Sequence, residues 1–127
     1  MIRRFYSEPI TTLRPDQIFV FGSNLAGIHG AGAAKQARSE FGAEQGVGEG
    51  PTGQCYALPT KDLGIQTRRI EDVKRSVALF IYYATQHPEL EFLITPIGCG
   101  LAGFKPQQIA PMFANAPYNC VLPTVFK

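Results

Sequence analysis

Ile18-Phe19-Val20-Phe21-Gly22-Ser23-Asn24-Leu25-Ala26-Gly27-Ile28-His29-Gly30-Ala31-Gly32-Ala33-Ala34 joins a run of β-branched and aromatic residues to a run of small, alanine-rich ones through a glycine-rich loop. The first run, bounded by Gly22, reads as a strand buried on both faces, and the last as the opening of a helix. Gly27, Gly30 and Gly32 carry no Cβ, so the loop between them reaches positive φ and lets its backbone approach a ligand. It also aims unpaired N–H groups from the free end of the coming helix. Such a geometry binds anions, phosphate most readily.

The flanking chain repeats this alternation. Residues 3–16 are an irregular lead-in with Pro9 and Pro15 as breakers and a short edge strand at Arg4-Phe5-Tyr6. After the glycine loop, Ala34, Ala37 and Phe41 recur at helical spacing and predict a helix over 31–41 that Gly42 ends. The stretch 46–53 holds four glycines and a proline in eight residues and reads as a flexible loop without any regular element. A second buried strand follows at 54–59. Ile70, Val73, Val77, Ile81 and Ala84 predict a helix over 70–86, with Glu71 and Asp72 in its first turn. His87-Pro88 closes it, His87 serving as a partner for the helix dipole. A third strand at 92–97 runs into Gly98-Cys99-Gly100-Leu101-Ala102-Gly103, a helix covers Pro106 to Asn115, and a last strand lies at 119–122. This order implies an α/β fold, a three-layer α/β/α sandwich around a mostly parallel sheet, with the ligand crevice outside the carboxyl ends of the strands.

Length and composition set the class. A chain of 127 residues is read as a single domain, 1–127, able to bury roughly two thirds of its unfolded surface without staples. Cys55, Cys99 and Cys120 are odd in number and widely spaced, so neither a disulfide framework nor a metal site is expected, and a reducing cytoplasm is the simplest home. No apolar run approaches the ~18 residues of a membrane span, and no apolar segment follows Met1-Ile2-Arg3-Arg4-Phe5 as a signal peptide requires. The formal charge of +2, with basic pairs only at Arg3-Arg4 and Arg68-Arg69, argues against a dedicated nucleic-acid binder.

Two stretches share the pattern Gly-x-x-Leu-Ala-Gly, 22–27 and 98–103, each after a strand. Placed on one edge of the sheet, they hold a ligand with two adjacent phosphates between two sets of backbone N–H groups. Sharper motifs fail. The second stretch fits the dinucleotide fingerprint, but the acid about 20 residues onward that binds ribose is absent, since no Asp or Glu follows Glu91. No Gly-Lys pair exists for a Walker loop. Cys99 in its glycine loop imitates a phosphatase nucleophile, with Lys105 as a poor stand-in for the phosphate-clamping arginine. His29, inside the first loop, is placed to contact phosphate or to transfer a proton.

Four motifs in order resemble those of the macro domains, the ADP-ribose-binding fold. Ile10-Thr11-Thr12-Leu13-Arg14-Pro15-Asp16-Gln17-Ile18 is similar to the family's opening segment Ile-Thr-x-Leu-x-x-Asp-Ala-Ile. Asn24 matches the asparagine that binds the distal ribose, and Gly30-Ala31-Gly32 resembles the first diphosphate loop. Tyr56-Ala57-Leu58-Pro59-Thr60-Lys61 resembles the family's Tyr-x-Leu-Pro-Ala-Lys strand. Ile97-Gly98-Cys99-Gly100-Leu101-Ala102-Gly103-Phe104 resembles the second loop, with Phe104 in the aromatic place beside the distal ribose. Two departures bear on function. Pro9 stands where the family's adenine-binding aspartate does, and no acid lies between Asp16 and Glu40, where hydrolytic members often carry an aspartate.

The resemblance implies binding of ADP-ribose or a related nucleotide diphosphate, free or on an ADP-ribosylated macromolecule, with no cofactor. The expected ligand-binding residues are Gly22, Ser23, Asn24, Gly27, Gly30, Ala31, Gly32, Gly98, Cys99, Gly100, Leu101, Ala102, Gly103 and Phe104. A hydrolase acting on an ADP-ribosyl or ADP-ribose phosphate bond would use Asn24 to orient water and His29 as general acid or base. The alternatives are a Cys99-dependent phosphatase and a non-catalytic interaction domain.

Overall fold

A computed structural model describes residues 3–127. Met1 and Ile2, with which the expectation on a signal peptide begins, lie outside the described residues. Strands β1 (Arg4–Tyr6), β2 (Gln17–Asn24), β3 (Gly50–Thr52), β4 (Cys55–Lys61), β5 (Glu91–Ile94) and β6 (Cys120–Pro123) form one sheet in the order β1-β6-β5-β2-β4-β3. Every pairing is parallel except β3 with β4. The helices are α1 (Gly32–Phe41), α2 (Ile70–Gln86) and the short α3 (Pro106–Ile109).

The opening stretch is the centre of this sheet, β2 being hydrogen-bonded to β4 on one side and β5 on the other. Its unbroken apolar run reflects cover on both faces. Phe19 and Phe21 point to a cluster with Ala34, Ala37 and Phe41 of α1 and with Cys55 and Ala57 of β4. Val20 points the other way, into the larger cluster of Leu58, Ile94, Val73, Val77, Phe80, Ile109 and Phe113 beneath α2 and α3. The alanines of α1 let the helix lie close on the two phenylalanine rings. Gly42, at φ 81°, ends that helix in the left-handed conformation as its sequence requires.

Four expectations shift. The first strand does not stop at Gly22 but continues through Ser23 and Asn24. Part of the stretch 46–53 is regular after all, because Gly50–Thr52 adds an antiparallel edge to β4. The third strand ends at Ile94 rather than Ile97, since Pro96 has no N–H to give the ladder. The helix over 106–115 breaks after one turn into a 3-10 turn, Ala110–Phe113, where Pro111 removes a donor. His87 is the C-cap of α2, its N–H donating to the carbonyl of Ala84 while its ring packs on Tyr83.

Arg4, Val121, Leu93 and Phe19 fall in one register row and so share the α1 face of the sheet. There α1 covers only the β2–β4 half, so the α/β/α layering is thin on that side. Among the described residues no helix is long and apolar enough to cross a membrane.

Candidate functional site

Because β2, β4 and β5 are parallel, their carboxyl ends meet at one edge, and there a cavity of about 410 Å³ opens. Gly22, Ser23 and Asn24 at the end of β2, Thr60 and Lys61 at the end of β4, and Thr95–Gly98 after β5 form its floor. Gly30–Ala34 at the start of α1 stand on one side, and Gly100, Leu101 and Ala102 on the other. The two glycine-rich stretches therefore do converge. A Cβ on Gly22 would stand 3.5 Å from the Gly98 nitrogen. They are not copies of one turn, however, since Gly22-Ser23-Asn24 is strand and 98–103 is turn.

The walls present donors. Helix α1 has no side-chain cap, and among the described residues the N–H groups of Gly30, Ala31, Gly32, Ala33 and Ala34 find no protein acceptor. Opposite them, the N–H groups of Gly98, Gly100, Leu101 and Ala102 are equally unpaired, while those of Cys99, Gly103 and Phe104 close turns onto Pro96, Gly100 and Gly98. Among the described residues Lys61 is the single charged side chain of the lining, and no carboxylate lines it. Donors and one cation around an acid-free cavity make a receptor for anions.

Asn24 lines the cavity at 9% exposure with its amide already engaged. Nδ2 donates to the Ile28 carbonyl at 2.8 Å, and Oδ1 accepts from the Ile28 N–H at 3.0 Å. The hydroxyl of Ser23 donates to the carbonyl of Gly48, and that of Thr60 to the carbonyl of Ser23 at 3.4 Å. Ser23 thus contributes wall rather than a free hydroxyl.

His29 is not in the site. It is fully buried and absent from the lining, its ring edge set against Phe21 with centroids 5.2 Å apart. Its Nε2 lies 3.1 Å from both the Glu44 and the Val47 carbonyls, so that nitrogen carries the proton and donates. The ring braces the loop from below, which removes it as a general acid or base. Gly27 also works below the surface. At φ 71° it packs on the Gly46 backbone, where a Cβ would come within 2.4 Å.

Cys99, Gly103 and Phe104 fall outside the lining as well. The Phe104 ring sits beneath Gly98 and against the core, supporting the loop and not a sugar. The Cys99 thiol donates weakly to the Ile97 carbonyl, and burial pushes its pKa up, the reverse of what a nucleophilic thiolate needs. The phosphatase reading loses its nucleophile.

Lys61 and Ile65 line the cavity although neither is among the expected ligand-binding residues; Lys61 closes the Tyr56–Lys61 motif, and Ile65 belongs to none. For Lys61 a signal was present: it is the first charge after the apolar run Tyr56-Ala57-Leu58-Pro59 and so ends a strand at the crevice edge. For Ile65 there was none.

No protein-family model matches the sequence, and no curated protein does. Solved structures do match in fold. The macrodomain of DarG from Thermus aquaticus superposes with a TM-score of 0.69 at 18% identity, covering 96% of this chain and 97% of that one. A protein of unknown function from Bacteroides thetaiotaomicron gives 0.67 at 15% identity, covering 97% of both chains. The macrodomain of DarG from Mycobacterium tuberculosis gives 0.65 at 16%, covering 96% of this chain and 97% of that one. With superposition over nearly the whole of both chains, this chain has the macrodomain fold.

Proposed function

We propose that the crevice binds ADP-ribose or a related nucleotide diphosphate. The observation that carries this reading is the facing of two sets of unpaired N–H groups, those of 30–34 and those of Gly98, Gly100, Leu101 and Ala102, across a cavity whose only charged wall among the described residues is Lys61. Two adjacent phosphates satisfy both sets at once. Each charge-assisted hydrogen bond formed there contributes about 1.5–3 kcal/mol, and the α1 N-terminus adds roughly 0.3–1 kcal/mol. The fold supports the same ligand class, by analogy with the macro domains.

Binding without hydrolysis is the reading the lining favours. Neither carboxylate nor imidazole reaches the cavity, and the Asn24 amide is held by Ile28. An ADP-ribosylated macromolecule would present the same group from outside the crevice.

Calorimetric titration with ADP-ribose, AMP and NAD tests this. ADP-ribose is expected to bind at micromolar strength, AMP much more weakly, and Lys61→Ala is expected to weaken ADP-ribose by about tenfold with a shallower salt dependence. No heat at millimolar ADP-ribose overturns the proposal.

A further inference from the structure

The hydrogen bonding of the crevice is one-sided. Its backbone N–H groups are left free, whereas its carbonyls are spent within the protein. In the loop after β5, the carbonyls of Pro96, Gly98 and Gly100 accept from the N–H groups of Cys99, Phe104 and Gly103 at 3.1, 2.8 and 3.0 Å. Beside them, Thr95 accepts from the Ile97 N–H, Ile97 from the Cys99 thiol, and Ala102 from Thr67 Oγ1 at 2.9 Å. At the strand ends, the carbonyls of Asn24, Thr60 and Lys61 accept from the N–H groups of Gly27, Arg68 and Leu25. On the α1 side, Ile28 accepts from Asn24 Nδ2 and Ala31 from the Lys35 N–H. Outside helix and strand, only Gly30, Ile65 and Leu101 of the lining keep a carbonyl without a protein donor among the described residues. All three residues are exposed, so water serves them.

The side chains follow the same division. Ser23, Thr60 and Thr95 each give their hydroxyl proton to a backbone carbonyl, those of Gly48, Ser23 and Val20. The Asn24 amide is engaged at both ends by Ile28, and the Lys61 ammonium can only donate. A phosphate asks for nothing but donors and positive charge, and both walls supply them. The edge of a nucleobase instead mixes donors with acceptors, and its amino and ring N–H groups meet no fixed acceptor in this crevice.

We propose that the crevice selects its ligand at the diphosphate and is blind to the hydrogen-bonding edge of the base. Its ligand class is then the nucleoside diphosphate sugars, whichever purine they carry. This rests on the function proposed above and sets the specificity of that site. It holds whichever way round the ligand lies, because the spent carbonyls belong to the floor and to both sides.

The test is calorimetry with ADP-ribose and with its hypoxanthine and guanine counterparts, which keep the ring system and invert donor and acceptor at ring positions 1 and 6. The parent is expected to bind all three within about fivefold of one another, and Lys61→Ala to weaken all three by a common factor. A base edge held by a fixed partner loses about fivefold or more on that inversion, since a buried donor then faces a donor. A wider spread in the parent therefore overturns the blindness and leaves diphosphate binding standing. A loss in Lys61→Ala that differs by more than about fivefold among the three also overturns it, because the ammonium then reads the base. Failure of all three to bind overturns the function and the specificity together.

Discussion

Asn24 closes a ring on the backbone of Ile28, donating to its carbonyl at 2.8 Å and accepting from its N–H at 3.0 Å. Both ends of the amide are used, so its orientation is fixed, and the chain reverses over 25–27 with the Gly27 N–H on the Asn24 carbonyl. The residue that ends the central strand therefore aims the loop that carries the free N–H groups of α1. Asn24→Ala strands the Ile28 N–H and is expected to cost about 1–3 kcal/mol of stability. Asn24→Asp keeps the acceptor but sets a negative charge beside the Ile28 carbonyl and the anion site. Melting curves alongside ADP-ribose calorimetry check the pair: Asn24→Asp should lose more affinity than Asn24→Ala for a given loss of stability.

His29 makes the opposite prediction from a catalyst. Its Nε2 serves the Glu44 and Val47 carbonyls, and its ring fills space beside Phe21. His29→Ala leaves a cavity and takes the donor from the Val47 carbonyl, while the Glu44 carbonyl keeps the Val47 N–H, with an expected loss of about 2–4 kcal/mol. Ligand affinity should fall only as far as the folded fraction does. Unchanged melting with abolished binding would place the ring in the crevice instead.

The layer order, the parallel sheet and the convergence of the two glycine stretches were legible because each follows from local rules. A doubly buried strand reads as an unbroken apolar run, and Phe19-Val20-Phe21 is one. An alanine-spaced helix ended by glycine reads as 31–41, one residue from the observed α1. What was not legible is the direction in which a loop side chain points. His29 and Cys99 sit beside glycines that line the cavity and Phe104 follows Gly103, yet all three turn into the protein, because each finds carbonyls or core there. Lys61 reaches the site from the last position of β4, at the end of the Tyr56–Lys61 motif, whereas Ile65 reaches it from a turn that no motif marks, with a backbone that contradicts its own propensity. The strand at 50–52 was hidden because a glycine and a proline at an antiparallel edge carry no apolar pattern.

Two glycines three residues apart in the same loop should respond in opposite ways to a methyl group. At Gly27 the new Cβ meets the Gly46 carbonyl carbon at 2.4 Å, and φ is 71° besides. Gly27→Ala is expected to destabilise by about 3 kcal/mol or more, on strain and overlap with backbone that cannot step aside. Gly30 has no atom within 4 Å of its added Cβ and lines the crevice. Gly30→Ala should leave the melting temperature within about 2 °C of the parent and still weaken ADP-ribose, as the methyl occupies the ligand's space. Equal loss of stability in both variants would contradict the loop geometry.

Far from the crevice, Glu91 at the start of β5 gathers the N-terminal part of the chain. Its carboxylate takes Arg4 Nη1 at 2.7 Å, Gln17 Nε2 at 2.8 Å and Arg14 Nη2 at 3.3 Å. Burial alone would raise its pKa, but the hydrogen bonds from Gln17 and Arg4 and the charges of Arg4 and Arg14 outweigh that and hold it below the ordinary 4.5. A carboxylate whose pKa is lower folded than unfolded binds its proton more readily in the unfolded chain. Its stabilisation is therefore complete above the unfolded value near 4.5 and drains away as pH falls through the lower, folded value. With Arg14 63% exposed and Arg4 33%, solvent screening limits the contribution to about 1 kcal/mol. Glu91→Gln keeps the shape and removes the charge, so urea unfolding should find it about 1 kcal/mol less stable than the parent at neutral pH, with the gap closing as the pH is taken well below 4.5. A gap that stays constant down that range would mean the carboxylate's charge is not what holds β1 and the lead-in against β5.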